Sequence, residues 1–376
     1  NTLTVGRNNN ASTFSGWLTN SMVSATLVKS GSGRMDITSR QDVFTGMFAI
    51  NGGVLAFSGD GATTNSGTSA FTLFDNGTLT FDNSTVNKRD RLTGAVPGVT
   101  FNGGTIRLVG KDGEASGETL GSAFFSSGTS TIDVDNGSGA GSSTELRFAA
   151  AVPGAGTVKF TASNGTLGTA GDNPRIFFDW MDEGVIGYGT VGGAPAYYDR
   201  ATGVRAFTLG EGTEFNGTAD QTGLDTKYTS LNNHQALDNA RIVNSLWIDS
   251  PGAGRFVDLG NSGANSLTLS SGRLSLTGSD DFSITRSGSS GGVLSRDANG
   301  TLFFGVGAGR TLTVGVPIAN GFGQVEKDGS GTLVLGAANT FAGTLSVNEG
   351  TVRYASGGAG DLSANAVNVW NSGVLD

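Results

Sequence analysis

Residues Glu326–Tyr354 read EKDGSGTLVLGAANTFAGTLSVNEGTVRY, and residues Val28–Phe57 read VKSGSGRMDITSRQDVFTGMFAINGGVLAF. The two segments align. Lys29 matches Lys327, Gly31 matches Gly329, and Gly33 matches Gly331. Met35 and Ile37 then match Leu333 and Leu335. After one extra residue in the first copy, Phe44 and Gly46 match Phe341 and Gly343, and Phe48 and Ile50 match Leu345 and Val347. Leu55 and Phe57 match Val352 and Tyr354. Every matched apolar pair sits at alternate positions, the signature of a strand with one buried and one wet face. The matched glycines fall where the chain must bend.

The same unit, a Gly followed by alternating apolar residues, recurs along the chain. Gly77 leads to Leu79 and Phe81, Gly104 to Ile106 and Leu108, Gly156 to Val158 and Phe160. Gly272 leads to Leu274 and Leu276, Gly300 to Leu302 and Phe304. Neighbouring units start roughly 19 to 31 residues apart. Periods in this range mark solenoids, propellers or arrays. No stretch sustains a 3.6 period, and Gly is too frequent for helix interiors. A propeller blade needs about 40 residues. The spacing therefore predicts an all-β fold: a right-handed parallel β-helix of about a dozen coils stacked at the ~4.8 Å strand distance.

Composition agrees. Of 376 residues, 63 are Gly and only 6 are Pro, without a three-residue period, which excludes collagen. Hydrophobic residues make up 36%, with 22 Phe, enough to build a core and too many for a disordered tail. The net charge of −9 argues against nucleic acid and against docking on an anionic membrane. No apolar run is long enough for a transmembrane helix. The absence of Cys removes disulfides, thiolate metal sites and cysteine nucleophiles. The opening NTLTVGRNNN carries no signal-peptide pattern, so the sequence reads as processed or as a piece of a longer chain.

The segment KDGSGTLVLGAANTFAGTLSVNEGTVRYA resembles the autotransporter-associated β-strand repeat of exported bacterial proteins. The residues that carry the likeness are Lys327, Gly329, Gly331, Leu333, Leu335, Asn339, Thr340, Phe341, Gly343 and Gly350. The N-terminal copy departs from the pattern at Met35, Asp36 and Asp42. NSLWID, NSLTLSSGRLSL and GRTLTVGVPIAN, from about Arg241 onward, look like the lead-in typical of the family. The resemblance implies an exported β-solenoid stalk and specifies no activity.

The organisation expected is solenoid coils over 1–171 with a loop near 83–98, an irregular loop or hairpin insertion over 172–240, and further coils over 241–376. The insertion collects Pro174, Trp180, Tyr188, Pro195, Tyr197 and Tyr198, and its later part (TADQTGLDTKYTSLNNHQALDNARI) allows a short helical turn. Lys88, Arg89, Asp90 and Arg91 in the smaller loop read as a solvated charged tip.

Chemistry-bearing constellations are sparse. Glycoside hydrolysis needs two facing carboxylates. The adjacent pair Asp280–Asp281 points to opposite sides of a bend, and His234, the one histidine, reads as a surface residue in a polar stretch. Asp133 and Asp135 project to one strand face and are, with Asn136, weak candidates for a Ca²⁺ site. Asp179, Asp182 and Glu183 form a second acidic cluster. GGAGD at 357–361 falls short of a Ca²⁺-binding nonapeptide. Trp180, Tyr188, Tyr197 and Tyr198 are the candidate contacts for a ligand or partner, since aromatics on loops of a rigid scaffold commonly bind.

The expectation is a non-enzymatic, extracellular or cell-surface bacterial protein: a structural stalk, adhesin segment or filament subunit without catalytic residues or a required cofactor. Its expected partners are further coils, by self-association end to end or along a filament or by continuation in a longer stalk, and a host surface or polysaccharide. The rival expectation is a polysaccharide-binding or polysaccharide-degrading β-helix acting through 172–240.

Overall fold

A computed structural model describes residues 1–19, 25–41, 44, 46–65, 71–94, 97–229, 234–250, 252–260, 262, 264–288, 292–297, 300–319, 321, 323–355 and 366–376. The fold is an all-β parallel solenoid, with no α-helix among the described residues. Among the described residues no helix is long and apolar enough to cross a membrane. The chain divides into two compact units: Asn1–Glu183 with Tyr197–Ala206, and Gly184–Ala196 with Phe207–Asp376.

In the first unit each coil contributes strands to three parallel sheets. Val99–Asn102, Thr105–Val109 and Ala115–Leu120 make one coil, and Ala123–Ser127, Thr129–Asp135 and Ser143–Phe148 make the next. Parallel pairing keeps like residues in columns. Leu55, Leu79, Ile106, Ile132 and Phe160 stack as successive partners, all inside. Leu73, Phe101 and Phe125 form a second column. Rings stack along the columns, Phe48 on Phe71 at 5.1 Å and Phe148 on Phe178 at 5.3 Å. Such offset aromatic pairs add about 0.5–1.5 kcal/mol each beyond their buried area. Thr and charged residues take the alternate, outward positions.

The corners explain why the two repeats share Lys and Gly. Gly53 and Gly350 sit at equivalent bends with φ of 62° and 71°. A Cβ at Gly53 would stand 2.5 Å from the Gly31 and Gly33 carbonyl oxygens, and one at Gly350 would stand 2.5 Å from the Gly329 oxygen. Only Gly fits both the backbone conformation and the space. Beneath each bend lies a buried lysine. The Lys29 ammonium donates to the carbonyls of Ser30, Gly31 and Gly52 at 2.9–3.1 Å. Lys327 donates to those of Asp328, Gly329 and Glu349. Each ammonium thus ties its own corner to the corner of the next coil.

The loop near 83–98 differs from a solvated tip. Arg89 and Asp90 are exposed, but Arg91 is fully buried and donates to Asn83 Oδ1 and to the carbonyls of Gly59, Gly61, Asp82 and Val86. Five backbone and amide acceptors converge there, and filling them outweighs exposing the charge to water. From the coil below, the buried Glu118 carboxyl accepts the backbone N–H groups of Arg91 and Leu92 at 2.8 and 3.0 Å. Burial pushes this carboxyl up to about 8.

In the second unit, Leu246, Leu274 and Phe304 stack in one column and Phe282, Leu312, Leu333 and Val352 in another, on two arms of one sheet that join through strand Leu345–Tyr354. Phe341, which matches Phe44 of the N-terminal repeat, enters this core. The Asn339 side chain accepts the N–H of Ile318, which closes the Asn-Thr-Phe bend.

Within 172–240 the ladder persists further than the composition suggests. Pro174–Phe178 pairs in register with Ser143–Phe148, and Asp225–Tyr228 pairs with Ser245–Ser250. The departure narrows to strands Gly184–Val191, Ala194–Asp199 and Gly203–Ala206. Gly192 and Gly193, both at positive φ, turn the chain between the first two. Among the described residues of 218–242 there is no helical turn, only short strands and turns; residues 230–233 lie outside the described residues. So do Asp42 and GGAGD at 357–361.

Candidate functional site

The structure separates the four aromatic candidates. Tyr188 belongs to the second unit, where its ring lies 6.2 Å from Phe303 and burial raises its hydroxyl pKa. Beside it the Gly187 carbonyl accepts from Arg273. Strand Gly184–Val191 therefore covers the outer face of this unit's sheet, and Tyr188 is packing rather than a contact surface. Trp180, Tyr197 and Tyr198 belong to the first unit. The Tyr198 hydroxyl donates to the Phe178 carbonyl at 2.6 Å, with only 4% of the residue exposed. The Arg205 guanidinium lies over the Tyr197 ring at 4.3 Å. Of the four, Trp180 alone is free of such cover, 83% exposed, on a turn pinned by its N–H to the Ala149 carbonyl.

The acidic candidates are engaged. Asp133 and Asp135 both meet Arg107, at 3.2 and 3.0 Å. Thr161 and Asn164 donate to their other oxygens. The guanidinium occupies the position where a cation would need oxygen ligands, so the pair offers no open cage for Ca²⁺. No group of three or more metal-ligating side chains is found among the described residues. Asp179 meets Arg147 at 2.7 Å, Asp182 meets Arg200 at 2.9 Å, and Glu183 accepts the Arg200 N–H. Asp281 accepts the Thr311 N–H, and Ser279 donates to Asp280, as in a bend before Phe282. His234 is exposed and stacks on Phe256 at 3.7 Å.

What the sequence did not single out is a cleft lined by Glu145, Arg147, Arg175 and Phe177. It encloses about 400 Å³ between the outward side chains of two stacked strands and the turns that follow. Glu145 and Arg147 come from TELRF, and Arg175 and Phe177 from PRIFF, each alternating with buried Leu146, Phe148, Ile176 and Phe178. Parallel register sets Glu145 beside Arg175 and Arg147 beside Phe177. Asp179, Met181, Tyr198 and Arg200 complete the lining. Arg147 is fully paired, to Glu145 on one side and Asp179 on the other. Arg175 approaches Glu145 at 3.7 Å, and its buried Nε has no hydrogen-bond partner among the described residues. Both guanidinium groups lie over the Phe177 ring, at 4.6 and 5.8 Å. The signal in the sequence was the pair of outward arginines on consecutive coils, which only the register reveals as neighbours.

Comparison with known proteins bears on the scaffold. Residues 27–57 and 325–353 each match the model of the Passenger-associated-transport-repeat family. The chain thus carries two passenger-type repeats, on the segments whose corner lysines and glycines coincide. It is also similar to the Adhesin BmaC autotransporter of Brucella suis biovar 1 (strain 1330), with 29% identity over 184 residues, 44% of this chain and 5% of that protein. The chain therefore spans about 5% of the length of this curated relative. No solved structure matches it.

Proposed function

We propose that this passenger-type β-solenoid is part of an exported, surface-exposed bacterial adhesin and acts as a stalk that carries contact surfaces rather than as an enzyme. The observation that supports this most directly is the repeat itself. Two distant segments of the chain spend their most constrained residues on the same corner, which extends a stack of coils without forming a catalytic pocket. The similarity to an autotransporter adhesin points the same way. The candidate carboxylates Asp133, Asp135, Asp179, Asp182, Glu183, Asp280 and Asp281 are engaged by Arg or by backbone and hydroxyl donors. Further coils, from the same polypeptide or from a second copy, are the partners this reading expects at the outer edge of strand Val367–Leu375.

Surface display tests the reading. The chain is fused to a translocator barrel in a non-adherent laboratory strain, and attachment to epithelial monolayers is counted against a strain displaying an unrelated solenoid. Adherence several-fold above that control is expected. Display without a gain in adherence overturns the adhesin reading, and release of reducing ends from polysaccharides overturns the non-enzymatic one.

A further inference from the structure

We propose that the first unit pairs with a second copy of this chain through one uncharged sheet face, with the column of coils reversed between the two copies and the Phe124 ring of each seated on Ala49 of the other. The proposal goes beyond the adhesin reading and does not rest on it, because it concerns the purified chain with no cell present.

Seven strands, from Thr2–Val5 to Ala151–Pro153, pair in parallel as one sheet of the first unit. Register aligns the outward positions of this sheet as it aligns the core. Val28, Ala49, Thr72, Thr100, Phe124 and Val152 are successive partners in one outward column. Met47 and Phe74 stand beside it and, with Phe124 and Val152, are exposed. Among the described strand residues of this sheet the one charged side chain is Lys29, which is buried under its corner. The adjoining sheet contrasts with it, for its outward Arg34, Asp36, Asp82, Arg107, Asp133 and Asp135 meet in ion pairs. Large apolar side chains gathered on a face without charge mark an interaction surface.

Charge and shape point to a second copy as the occupant. The chain has a net charge of −9, so copies repel, and this face lets them approach with no like charges opposed. A charged partner would lose hydration there and meet no counter-charge. The column is also self-complementary, as a two-fold contact requires. A two-fold axis along the strands, between Thr72 and Thr100, reverses the column in the partner. It sets Phe124 on Ala49, Val152 on Val28, and the Thr72 hydroxyl against that of Thr100. The largest side chain of the column thus meets the smallest, in a hollow walled by Met47 on the same strand and Phe74 on the next. An axis along the column would instead set Phe124 on Phe124 and leave Ala49 facing Ala49. The Phe124 ring lies over Gly98, where a Cβ would stand 2.9 Å from it, so the ring adds a low step to the face. Six strands at ~4.8 Å span about 24 Å, less than the ~800 Å² per partner of a standard interface can occupy. The pair is therefore weak between free chains and gains strength when many copies are displayed together.

The test is sedimentation of the purified chain from micromolar to millimolar concentration, with melting curves to show that each variant is folded. A reversible monomer–dimer equilibrium is expected, and added salt should not weaken it, since no charge pair holds it. Phe124→Glu and Ala49→Lys should each lower self-association at least ten-fold. An equimolar mixture of the two variants should recover it, because the reversed column sets the new carboxylate against the new ammonium and keeps the second Phe124–Ala49 contact intact. A parent that stays monomeric, variants that associate as the parent does, or a mixture no better than either variant alone overturns the proposal. So does retention of a monomeric parent on an insoluble neutral polysaccharide that Phe124→Glu abolishes, which would assign the face to that occupant. Failure here leaves the display assay untouched, because attachment to a monolayer needs no pairing of copies.

Discussion

Arg273 reaches Asp328 across an intervening strand, through the gap that Gly305 leaves. The Arg273 Nη1 lies 3.0 and 2.9 Å from the two Asp328 oxygens, with the side chains only 1% and 6% exposed. Gly305 is in register with Ser275 on one side and Asp328 on the other. A Cβ there would stand 2.0 Å from Arg273 Nη2 and 3.2 Å from an Asp328 oxygen. The glycine is needed for space, not for its φ. Gly305→Ala should therefore break a buried ion pair and destabilise the second unit by about 3–5 kcal/mol. Replacing both charges, Arg273→Met with Asp328→Leu, should cost far less, because no unpaired charge remains. Urea denaturation of the two variants and the parent checks this, and a Gly305→Ala protein as stable as the parent would refute it.

The corner lysines give a second prediction. Burial depresses the Lys327 ammonium to about 8, against the opposing pull of Asp328 and Glu349. Between about 8 and the ordinary lysine range the unfolded chain binds more protons than the folded one, so stability rises with pH across that window. Below it the cost of burying the charge is fully present. Lys327→Met should remove this rise. It should also leave three corner carbonyls without a donor, a loss of about 1–3 kcal/mol at neutral pH. Melting curves collected from pH 7 to pH 10.5 for both proteins decide the matter, and parallel curves would sink the assignment.

The ladder was legible because alternation is local: Leu333 and Leu335, or Ile132 and Val134, announce a strand without knowledge of any partner. The corner was legible as a coincidence of Lys29 with Lys327 and of Gly53 with Gly350, although its hydrogen bonds were not. What stayed hidden depends on register between coils. Nothing near Gly305 in the sequence signals that Arg273 and Asp328 meet over it. Arg147 and Arg175 become neighbours of one cleft only when TELRF stacks on PRIFF. Arg91 looks solvated beside Arg89 and Asp90, and it is buried because carbonyls from a neighbouring coil require donors. Tyr188 and Tyr198 are close in sequence, yet they pack into different units and serve as core groups in both.

Glu118 yields a third prediction with the opposite sign to the lysine. Burial raises this carboxyl to about 8, despite the N–H groups of Leu92 and Arg91 that favour its ionised form. The folded chain therefore holds a proton that the unfolded chain has released, from the ordinary glutamate range up to about 8. The stabilisation is fully present below that range and is lost as pH rises through the folded value. At ~1.4 kcal/mol per pKa unit the change amounts to a few kcal/mol for the first unit. Glu118→Gln should flatten the pH profile, and its amide turns an NH₂ toward one of two backbone donors at a cost of about 1–3 kcal/mol. Hydrogen exchange at the Arg91 and Leu92 amides between pH 4.5 and pH 8.5, corrected for intrinsic rates, reads this locally. Protection that does not fall with pH in the parent would overturn it.

The buried Tyr198 and the exposed Trp180 should respond in opposite ways to truncation. The Tyr198 hydroxyl donates to the Phe178 carbonyl and accepts from the Phe178 N–H at 3.2 Å, bridging the last regular coil of the first unit to the strand that follows. Tyr198→Phe removes both partners while keeping the ring, which packs at 6.2 Å against Phe178. A loss of about 1–3 kcal/mol is expected, since a buried carbonyl and N–H are left without that partner. Trp180→Ala deletes a side chain that is mostly in water and should change stability by no more than about 0.5 kcal/mol. Thermal melts of the two variants separate the residue that holds the fold from the one that is available for contact. A large loss for Trp180→Ala would mean that the indole is packing and is not available for contact.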